Sequence, residues 1–385
     1  NFIAENVEWL VARSGQVLAL PRVELALPVG ISFFTFQALA YVIDVSRATP
    51  DTEDTLGPET NPGRFWTFLA FFPQLIAGPI VRRHELLPQL KKLGLLTENQ
   101  IGAGVYRILR GCLKKAVIAD PLMIGIVNPV FLDPGAFQGT EVLVALYAFT
   151  LAIYCDFSGY TDIAIGSARL FGIELPENFN RPYKATSVAG FWRRWHITLS
   201  NWVRDYIYYP LGGSKVGKEW RVYFNIMVTM LIIALWHRAN WNYVIYGLLH
   251  GSLVGINRWQ RKRTGRRPDD AMPHAWGWAW RWFLTFNFIV FARILFQATT
   301  LDQAKAIVLR MQDMALIMPR FSPMSLGIMV LGYAIHFTPE DWGSRTESWF
   351  RRQNPVIWAF FAAGVGATCM LLASGDSLAF VYYQF

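Results

Sequence analysis

Two stretches of sequence indicate the fold of this chain and the position of its reactive residues: Phe191-Trp-Arg-Arg-Trp-His-Ile-Thr-Leu-Ser200 and Leu235-Trp-His-Arg-Ala-Asn-Trp241. Each stretch places a histidine beside tryptophan, within sequence that is apolar enough for a membrane interior. A strongly polar or ionisable side chain is costly at membrane depth, so its presence there indicates function. His196 and His237 belong to different segments, and together they predict one buried reaction centre built from both.

The composition is that of a membrane protein. Of the 385 residues, 53% are hydrophobic and 16% are charged, whereas roughly 25% of residues are charged in typical soluble proteins. Long uncharged runs recur, among them Val222 to Trp236 and Pro355 to Ala373. A helix of about 20 apolar residues crosses the hydrocarbon core of a bilayer. The sequence therefore predicts an all-α polytopic membrane protein.

The positive charge is spread over short clusters between apolar runs. The net charge is +9, and the densest cluster, Arg258 to Arg267, holds six Lys or Arg in ten residues. Because the cations do not lie on one polar domain, we exclude nucleic acid as a partner. The pattern is typical of cytoplasmic loops, where basic side chains contact anionic membrane lipids.

Apolar segments follow one another along the whole chain. They are predicted at 25–45, 64–80, 101–131, 142–157, 159–171, 187–210, 221–236, 240–257, 276–298, 323–337 and 355–374. Several are short or contain Gly, Pro or polar residues, which predicts kinked or re-entrant pieces around an internal cavity. Residues 1–22, 81–100 and 299–320 are predicted to be interfacial or amphipathic. No repeat or soluble domain boundary is visible, so residues 1–385 are predicted to form a single membrane domain.

His237 is the first catalytic candidate. An imidazole is the usual general base near neutral pH, and apolar surroundings favour its neutral, proton-accepting form. In the alternative interpretation His237 is structural, with ring nitrogens bonded to backbone carbonyls. His250 follows within Leu248-Leu-His-Gly-Ser252, close to the same face as His237 if the helix were continuous.

His196 is the second candidate. Trp192, Trp195, His196 and Leu199 fall at offsets 0, 3, 4 and 7, which predicts one helical face of rings with Arg193 and Arg194 pointing elsewhere. On that face His196 orients a donor or acceptor substrate, or it only packs. No phosphate-binding loop, GxSxG elbow, HExxH motif or metal spacing of cysteines occurs. The sequence therefore favours direct transfer with histidine as base, and it predicts no metal site.

Two carboxylates, Asp156 and Asp162, occur in the apolar stretch Tyr154-Cys-Asp-Phe-Ser-Gly-Tyr-Thr-Asp162. Their spacing on a continuous helix makes them point in different directions, so they cannot act as a pair. We predict a structural role for both, with a break at Ser158-Gly159 that lets Asp156 accept hydrogen bonds from backbone or arginine.

These residues resemble the membrane-bound O-acyltransferase family, and most of all its bacterial alginate O-acetyltransferase branch. The matching motifs are Leu27-Pro-Val-Gly-Ile-Ser-Phe-Phe-Thr-Phe-Gln37, Tyr41-Val-Ile-Asp-Val45, Phe72-Pro-Gln-Leu-Ile-Ala-Gly-Pro79, Asp156-Phe-Ser-Gly-Tyr-Thr-Asp-Ile-Ala-Ile-Gly166, Pro176-Glu-Asn-Phe-Asn-Arg-Pro-Tyr183, Phe191-Trp-Arg-Arg-Trp-His196, Tyr208-Tyr-Pro-Leu-Gly-Gly213, Leu235-Trp-His237 and Tyr382-Tyr-Gln-Phe385. The resemblance implies that His237 is the essential histidine and that His196 occupies the position of a second polar catalytic residue. Around them, Trp192, Trp195, Trp236, Asn240 and His250 are predicted to bind substrate.

The resemblance also implies a fold, a donor and partners. The fold is a ring of tilted, partly broken transmembrane helices around a central cavity, with interfacial helices, in the bacterial inner membrane. The implied donor is acetyl-CoA or an acetyl carrier, with no permanently bound cofactor. The implied acceptor is an exopolysaccharide hydroxyl, served through a periplasmic acetyltransferase partner. The family's N-terminal spans are expected to be absent from this chain and its C-terminus complete.

Two positions depart from the family pattern. Arg238 follows the catalytic histidine where the branch usually has glycine, and Phe296-Gln-Ala298 stands where the branch commonly has Phe-Arg-Ala. We expect Arg238 either to narrow the cavity or to replace the missing guanidinium. Two alternative functions remain open: transfer of D-alanyl or another acyl group to teichoic acid, lipid or protein, and, in a different class, a transporter or channel.

Overall fold

The computed structural model describes residues 2–13, 17–21, 30–47, 57–265, 275–315 and 319–372. Its helices are α1 (Phe2–Ala12), α2 (Ile31–Arg47), α3 (Pro62–Ala70), α4 (Arg83–Leu90), α5 (Glu98–Cys112), α6 (Asp120–Leu122), α7 (Asn128–Leu132), α8 (Gly139–Arg169), α9 (Val188–Trp192), α10 (Ile197–Val203), α11 (Glu219–His237), α12 (Trp241–Thr264), α13 (Ala275–Gln297), α14 (Leu301–Arg310), α15 (Pro323–Phe337), α16 (Trp342–Arg351) and α17 (Pro355–Leu372). Leu113–Ala119, Met123–Val127 and Arg204–Tyr208 are π-helical, and Pro134–Ala136 and Pro182–Lys184 are 3₁₀ turns.

Within these ranges, five helical stretches are long and apolar enough to cross a membrane. They are Glu98–Leu132, Gly139–Arg169, Glu219–His237, Trp276–Gln297 and Pro355–Leu372. The described residues contain no strand. The prediction of an all-α polytopic membrane protein is confirmed. The motif residues Leu27 to Val29 and Tyr382 to Phe385, and the cations Arg266 and Arg267, lie outside the described residues.

The central helix α8 is a single 31-residue element, although two segments were predicted, 142–157 and 159–171. The predicted break at Ser158-Gly159 is wrong, because Gly159 serves interhelical packing instead. A Cβ on Gly159 would lie 2.9 Å from the carbonyl oxygen of Gly111 on α5, and one on Gly166 would lie 2.7 Å from that of Gly104. These pairs bring α5 and α8 into antiparallel backbone contact, which only small residues permit.

The hairpin of α11 and α12 is built in the same way. Gly247, Gly251 and Gly255 recur at helical spacing on α12, and each faces an α11 residue: Leu231, Met227 and Tyr223 respectively. The turn between the helices places His237 at the end of α11. At the other end of the hairpin, Glu219 contacts Arg258 (3.3 Å) and Lys262. The basic cluster from Arg258 to Arg263 is therefore helical in the described residues and lies at the opposite end from His237.

The segment predicted at 187–210 is not one continuous helix. It consists of α9, a turn over residues 193–196, α10 and a π-helical turn. The interfacial helix predicted over 81–100 is confined to α4, and its Arg83, Leu86 and Leu87 are buried within the protein. By contrast, α14 is amphipathic as predicted, with Ala304 and Ile307 buried.

Candidate active site

His237 ends α11 because the chain turns there. Arg238 is extended (φ −162°, ψ 130°), and Asn240 caps α12 by accepting a hydrogen bond from the backbone N–H of Tyr243 at 3.1 Å. His237 is 8% exposed, and its ring contacts those of Trp236 (4.8 Å), Phe296 (5.3 Å) and Tyr243 (6.4 Å). An imidazole enclosed by aromatic rings at a helix end can accept a proton from a group that enters this space.

His196 does not lie on a helical face, so the predicted helix through Trp192 and Leu199 is wrong. Its backbone adopts the left-handed conformation (φ 45°, ψ 54°), which costs roughly 1–2 kcal/mol for a non-glycine residue. The segment 178–180 holds this turn through two backbone bonds: Asn180 N donates to Arg194 O, and Ile197 N donates to Asn178 O, both at 2.9 Å. Tertiary contacts thus override helical periodicity here and bring the imidazole into the interior.

The side chain of Asn178 fixes the tautomer of His196. Its Oδ1 accepts from the backbone N–H of Thr198 (3.2 Å) and from the Thr198 hydroxyl (2.9 Å), so this atom is the amide oxygen. The same oxygen lies 3.1 Å from Nδ1 of His196. Nδ1 must therefore carry the proton, and Nε2 keeps its lone pair. Asn178 was not among the predicted site residues, because nothing in the local sequence pattern connects it to His196.

The fold brings His196 and His237 to the same aromatic cluster. The ring of Trp236 lies 4.8 Å from that of His237 and 6.0 Å from that of His196. Phe33 stacks on His196 (6.1 Å) and meets Trp236 edge-on (5.6 Å). The structure therefore brings the two segments together, and their role as one reaction centre stays a prediction.

His250 and Trp192 form a second pair beside this cluster. The indole N–H of Trp192 donates to Nδ1 of His250 at 3.1 Å, and both side chains are buried. The bond leaves Nε2 of His250 protonated, and within the described residues this nitrogen has no hydrogen-bond partner. The ring of Tyr246 lies 4.2 Å from that of His250 and connects it to Phe296 (5.7 Å). As donor of this bond, the Trp192 indole holds His250 in place.

Arg293 is a site residue that the sequence analysis missed. It lies on α13, is 1% exposed, and has its guanidinium carbon 4.6 Å from the ring centre of Trp195 and 5.3 Å from that of Phe296. The ring of Phe296 also lies 5.3 Å from that of His237. Arg238 is exposed, whereas Arg293 is buried, one helical turn before Gln297. The sequence did contain a signal for this residue, because an arginine inside a 23-residue apolar helix is rare and indicates function.

Two cavities adjoin the turn that carries His196. The Trp192 cavity, about 430 Å³, is lined by Trp192, Arg193, Arg204 and the α11 residues Ile226, Met230 and Ile233. The Asp162 cavity, about 700 Å³, is lined by Arg110, Lys114, Tyr154, Asp162, Arg181 and His336. Ile197, next to His196, lines both. Both volumes are in the range of small-molecule sites. Among the described residues, no cluster of His, Cys, Asp and Glu could hold a metal ion.

The carboxylates of α8 are engaged in ion pairs. Asp162 contacts Arg107 (2.7 Å), Arg110 (2.6 Å) and Lys114 (2.7 Å). Asp156 contacts Lys115 at 2.7 Å. The two carboxylates therefore serve different cations, which favours the structural interpretation over a catalytic pair.

Comparison with known proteins agrees with this architecture. A model of the membrane-bound O-acyltransferase family (MBOAT) matches residues 58–298. The chain is 39% identical over 305 residues to "Probable alginate O-acetylase AlgI" of Azotobacter vinelandii, covering 79% of this chain and 57% of that protein. It is 38% identical over 308 residues to "Peptidoglycan O-acetyltransferase" of Helicobacter pylori, covering 73% and 56%. It is 29% identical over 286 residues to "Teichoic acid D-alanyltransferase" of Streptococcus thermophilus, covering 69% and 67%.

The matched region contains the elements of the site. It runs from the segment before α3 to Ala298, just past the end of α13, and it includes Asn178, His196, His237, His250 and Arg293. The chain spans little more than half the length of the alginate and peptidoglycan relatives. With five candidate spans and a family match over more than half of its residues, this chain is a multi-pass membrane protein that belongs to the membrane-bound O-acyltransferase family.

Proposed function

We propose that this chain is an O-acyltransferase of the bacterial inner membrane. It takes an acetyl group from acetyl-CoA or an acetyl carrier and passes it across or within the membrane for O-acetylation of an exopolysaccharide such as alginate. The chain acts as one membrane domain over residues 1–385, without a permanently bound cofactor. The observation that carries the proposal is the turn at His196 and Ile197: Ile197 lines both cavities, and the ring of His196 contacts that of Trp236, which in turn contacts His237.

The Trp192 cavity suits the donor. Its α11 residues Ile226, Met230 and Ile233 lie at helical spacing, and the next position on that face reaches Trp236 and His237. Val254 also lines it, one turn before Arg258 in the basic end of α12. The cations at this end would attract the phosphates of coenzyme A, while the apolar wall accommodates the pantetheine arm that leads to the thioester.

The Asp162 cavity suits the acceptor. It combines ring faces, such as those of Tyr106, Tyr154 and Trp342, with charged and hydrogen-bonding side chains. Such a lining fits a polar hydroxyl-bearing ligand. The acetyl-transferring relatives act on alginate and peptidoglycan by their names, which supports a glycan as the final acceptor.

The chemistry follows from the two histidines. His237 accepts the proton of the attacking hydroxyl, and His196, with a lone pair on Nε2, orients a substrate by accepting a hydrogen bond from another of its O–H or N–H groups. The buried Trp192 and Trp195, together with the half-buried Trp236, exclude water from the thioester, and His250 is held against Trp192 at the donor side. No covalent acyl-enzyme is required, since both substrates meet at the same wall.

A transfer assay tests the proposal. The full chain is reconstituted in proteoliposomes with its periplasmic partner and polymer, and labelled acetyl-CoA is supplied on the cytoplasmic side. His237→Ala is expected to reduce polymer-bound label by about 10²–10⁴-fold, while the exposed His84→Ala serves as matched control with the wild-type rate. Near-wild-type transfer by His237→Ala would remove this residue from the mechanism.

The same assay separates the alternatives. Transfer of label from a D-alanyl donor but not from acetyl-CoA would place the chain with the teichoic acid relatives; the cations Arg193 and Arg204 in the Trp192 cavity disfavour that cationic donor. Movement of solute without any acyl transfer would indicate a transporter.

A further inference from the structure

Arg293 is a buried cation without a counter-ion in the part of the chain that the structure describes. Its side chain is 1% exposed, and neither Nε nor Nη2 has a hydrogen-bond partner there. A charge taken out of water and left unpaired is strongly unfavourable. The fold retains it at the centre of the aromatic cluster, which points to a ligand that completes it.

Aromatic rings cover the faces of the Arg293 guanidinium, and its Nε–Nη2 edge has no hydrogen-bond partner within the described residues. The rings of Trp195 (4.6 Å) and Phe296 (5.3 Å) lie against the guanidinium carbon. Nε–H and the N–H of Nη2 on the same side form a parallel pair of donors. Such an edge binds one oxygen, or two oxygens of one group, in the guanidinium plane.

This edge lies at the reaction centre. Phe296 contacts the guanidinium of Arg293 and the ring of His237, each at 5.3 Å. The α11 face that lines the Trp192 cavity continues to His237, so a thioester that extends along this face would approach the base and, through the contact at Phe296, the cation. Across Trp195, Arg293 also neighbours the segment that carries His196.

We propose that Arg293 is a catalytic residue whose Nε–Nη2 edge binds the thioester carbonyl oxygen and the oxyanion that forms on it. The inference rests on the proposed acetyl transfer. The acceptor hydroxyl gives its proton to His237 and forms a bond to the acetyl carbon, while the carbonyl π electrons move to the oxygen held by Arg293. The C=O bond then re-forms, the C–S bond breaks, and the departing thiolate takes the proton from His237, which yields the ester and free thiol.

The cation favours the transition state over the ground state. A neutral thioester carbonyl gains little from the guanidinium, whereas the developing oxyanion gains much in a site without water. Arg293 is therefore expected to raise kcat more than it lowers KM. A role in packing alone would change the amount of folded protein and leave kcat unchanged.

The first experiment compares Arg293→Met and Arg293→Lys with Arg281→Met, a control on the same helix, in the full chain with labelled acetyl-CoA. Arg293→Met is expected to lower kcat by about 10²–10³-fold, with KM changed less than about threefold. Arg293→Lys should retain more of kcat than Arg293→Met, because lysine keeps the positive charge but lacks the paired N–H donors of the guanidinium. A kcat of Arg293→Met within about threefold of wild type would overturn the proposal, as would a change confined to KM.

The second experiment does not depend on a folded variant. Wild-type protein is titrated with carboxymethyl-CoA, which carries a carboxylate in place of the acetyl group, and with acetonyl-CoA, its neutral ketone counterpart. Tighter binding of the carboxylate is expected, and Arg293→Lys should weaken that preference. Equal binding of the two analogues to wild type would overturn the role of Arg293. Wild-type protein that binds both analogues but transfers no acetyl group would instead reject the proposed function.

Discussion

Nδ1 of His196 donates a hydrogen bond to Oδ1 of Asn178 at 3.1 Å. The same oxygen accepts hydrogen bonds from the backbone N–H and the hydroxyl of Thr198. One amide thus secures the tautomer of the imidazole and the left-handed turn that carries it. This arrangement parallels the orienting partner that holds a catalytic histidine in other transferases and hydrolases.

Asn178→Ala is expected to lower kcat by about tenfold to a hundredfold, because His196 loses the bond that fixes its tautomer and Thr198 loses its acceptor. The measurement is acetyl transfer per folded molecule. Asn61→Ala, which removes only the cap of α3, is the matched control and should keep the wild-type rate. An unchanged rate in Asn178→Ala would show that the amide does not serve the reaction.

Three substitutions at His196 distinguish the contribution of its left-handed backbone from that of its imidazole. His196→Gly relieves the left-handed strain and should fold well yet transfer little. His196→Asn should keep part of the activity, since asparagine tolerates this conformation and its amide still forms hydrogen bonds. His196→Ala should lose both stability and rate. Wild-type turnover in the glycine variant would reduce His196 to a packing residue.

Asp162→Asn is expected to deplete folded protein, because Arg107, Arg110 and Lys114 all contact this carboxylate and a broken buried ion pair costs about 3–5 kcal/mol. Asp156→Asn should act in the same direction through Lys115. Both should lower the amount of folded protein more than the rate per folded molecule. The more exposed Asp313→Asn is the control. A fully folded but inactive Asp156→Asn protein would place that carboxylate in the reaction centre.

Gly111→Ala is expected to destabilise the contact of α5 and α8 by about 1–3 kcal/mol. The added methyl would lie 2.5 Å from the carbonyl oxygen of Gly159, so the two helices must move apart. Gly364→Ala on α17 meets nothing within 4 Å and provides the matched control. Unfolding free energies in detergent should differ between the two variants. Equal values would indicate that the helices can separate without cost.

The basic end of α12 is expected to face the cytoplasm. Each cation near an anionic surface contributes about 1 kcal/mol of attraction. In a variant without native cysteines, Thr264→Cys should react with an impermeant thiol reagent only after cells are permeabilised. Arg238→Cys, at the other end of the hairpin, should react in intact cells, since a 19-residue helix extends about 28 Å. The reverse pattern would invert the topology.

The sequence by itself determined the class of the protein and most of its helices. Segments such as 323–337 and 276–298 agree with α15 and α13 to within a residue or two, because long apolar runs can be satisfied in a bilayer only as helices. It also singled out His196, His237 and His250 as candidates, since polar groups in such runs are rare and costly. Motif resemblance supplied the family, which the family match confirms.

The tertiary structure decided those features that the local sequence pattern cannot predict. Helical periodicity placed His196 on a continuous helix, but bonds from Asn178 and Asn180, which belong to a separate, earlier segment, outweigh that preference and turn the chain inward. Gly159 read locally as a break, yet it is the point where α5 approaches α8. Arg293 could be recognised as a site residue only from the structure, which places Trp195 and Phe296 against its guanidinium and His237 against Phe296. Long-range contacts set these features, because each depends on groups that the chain brings together only after its helices have packed.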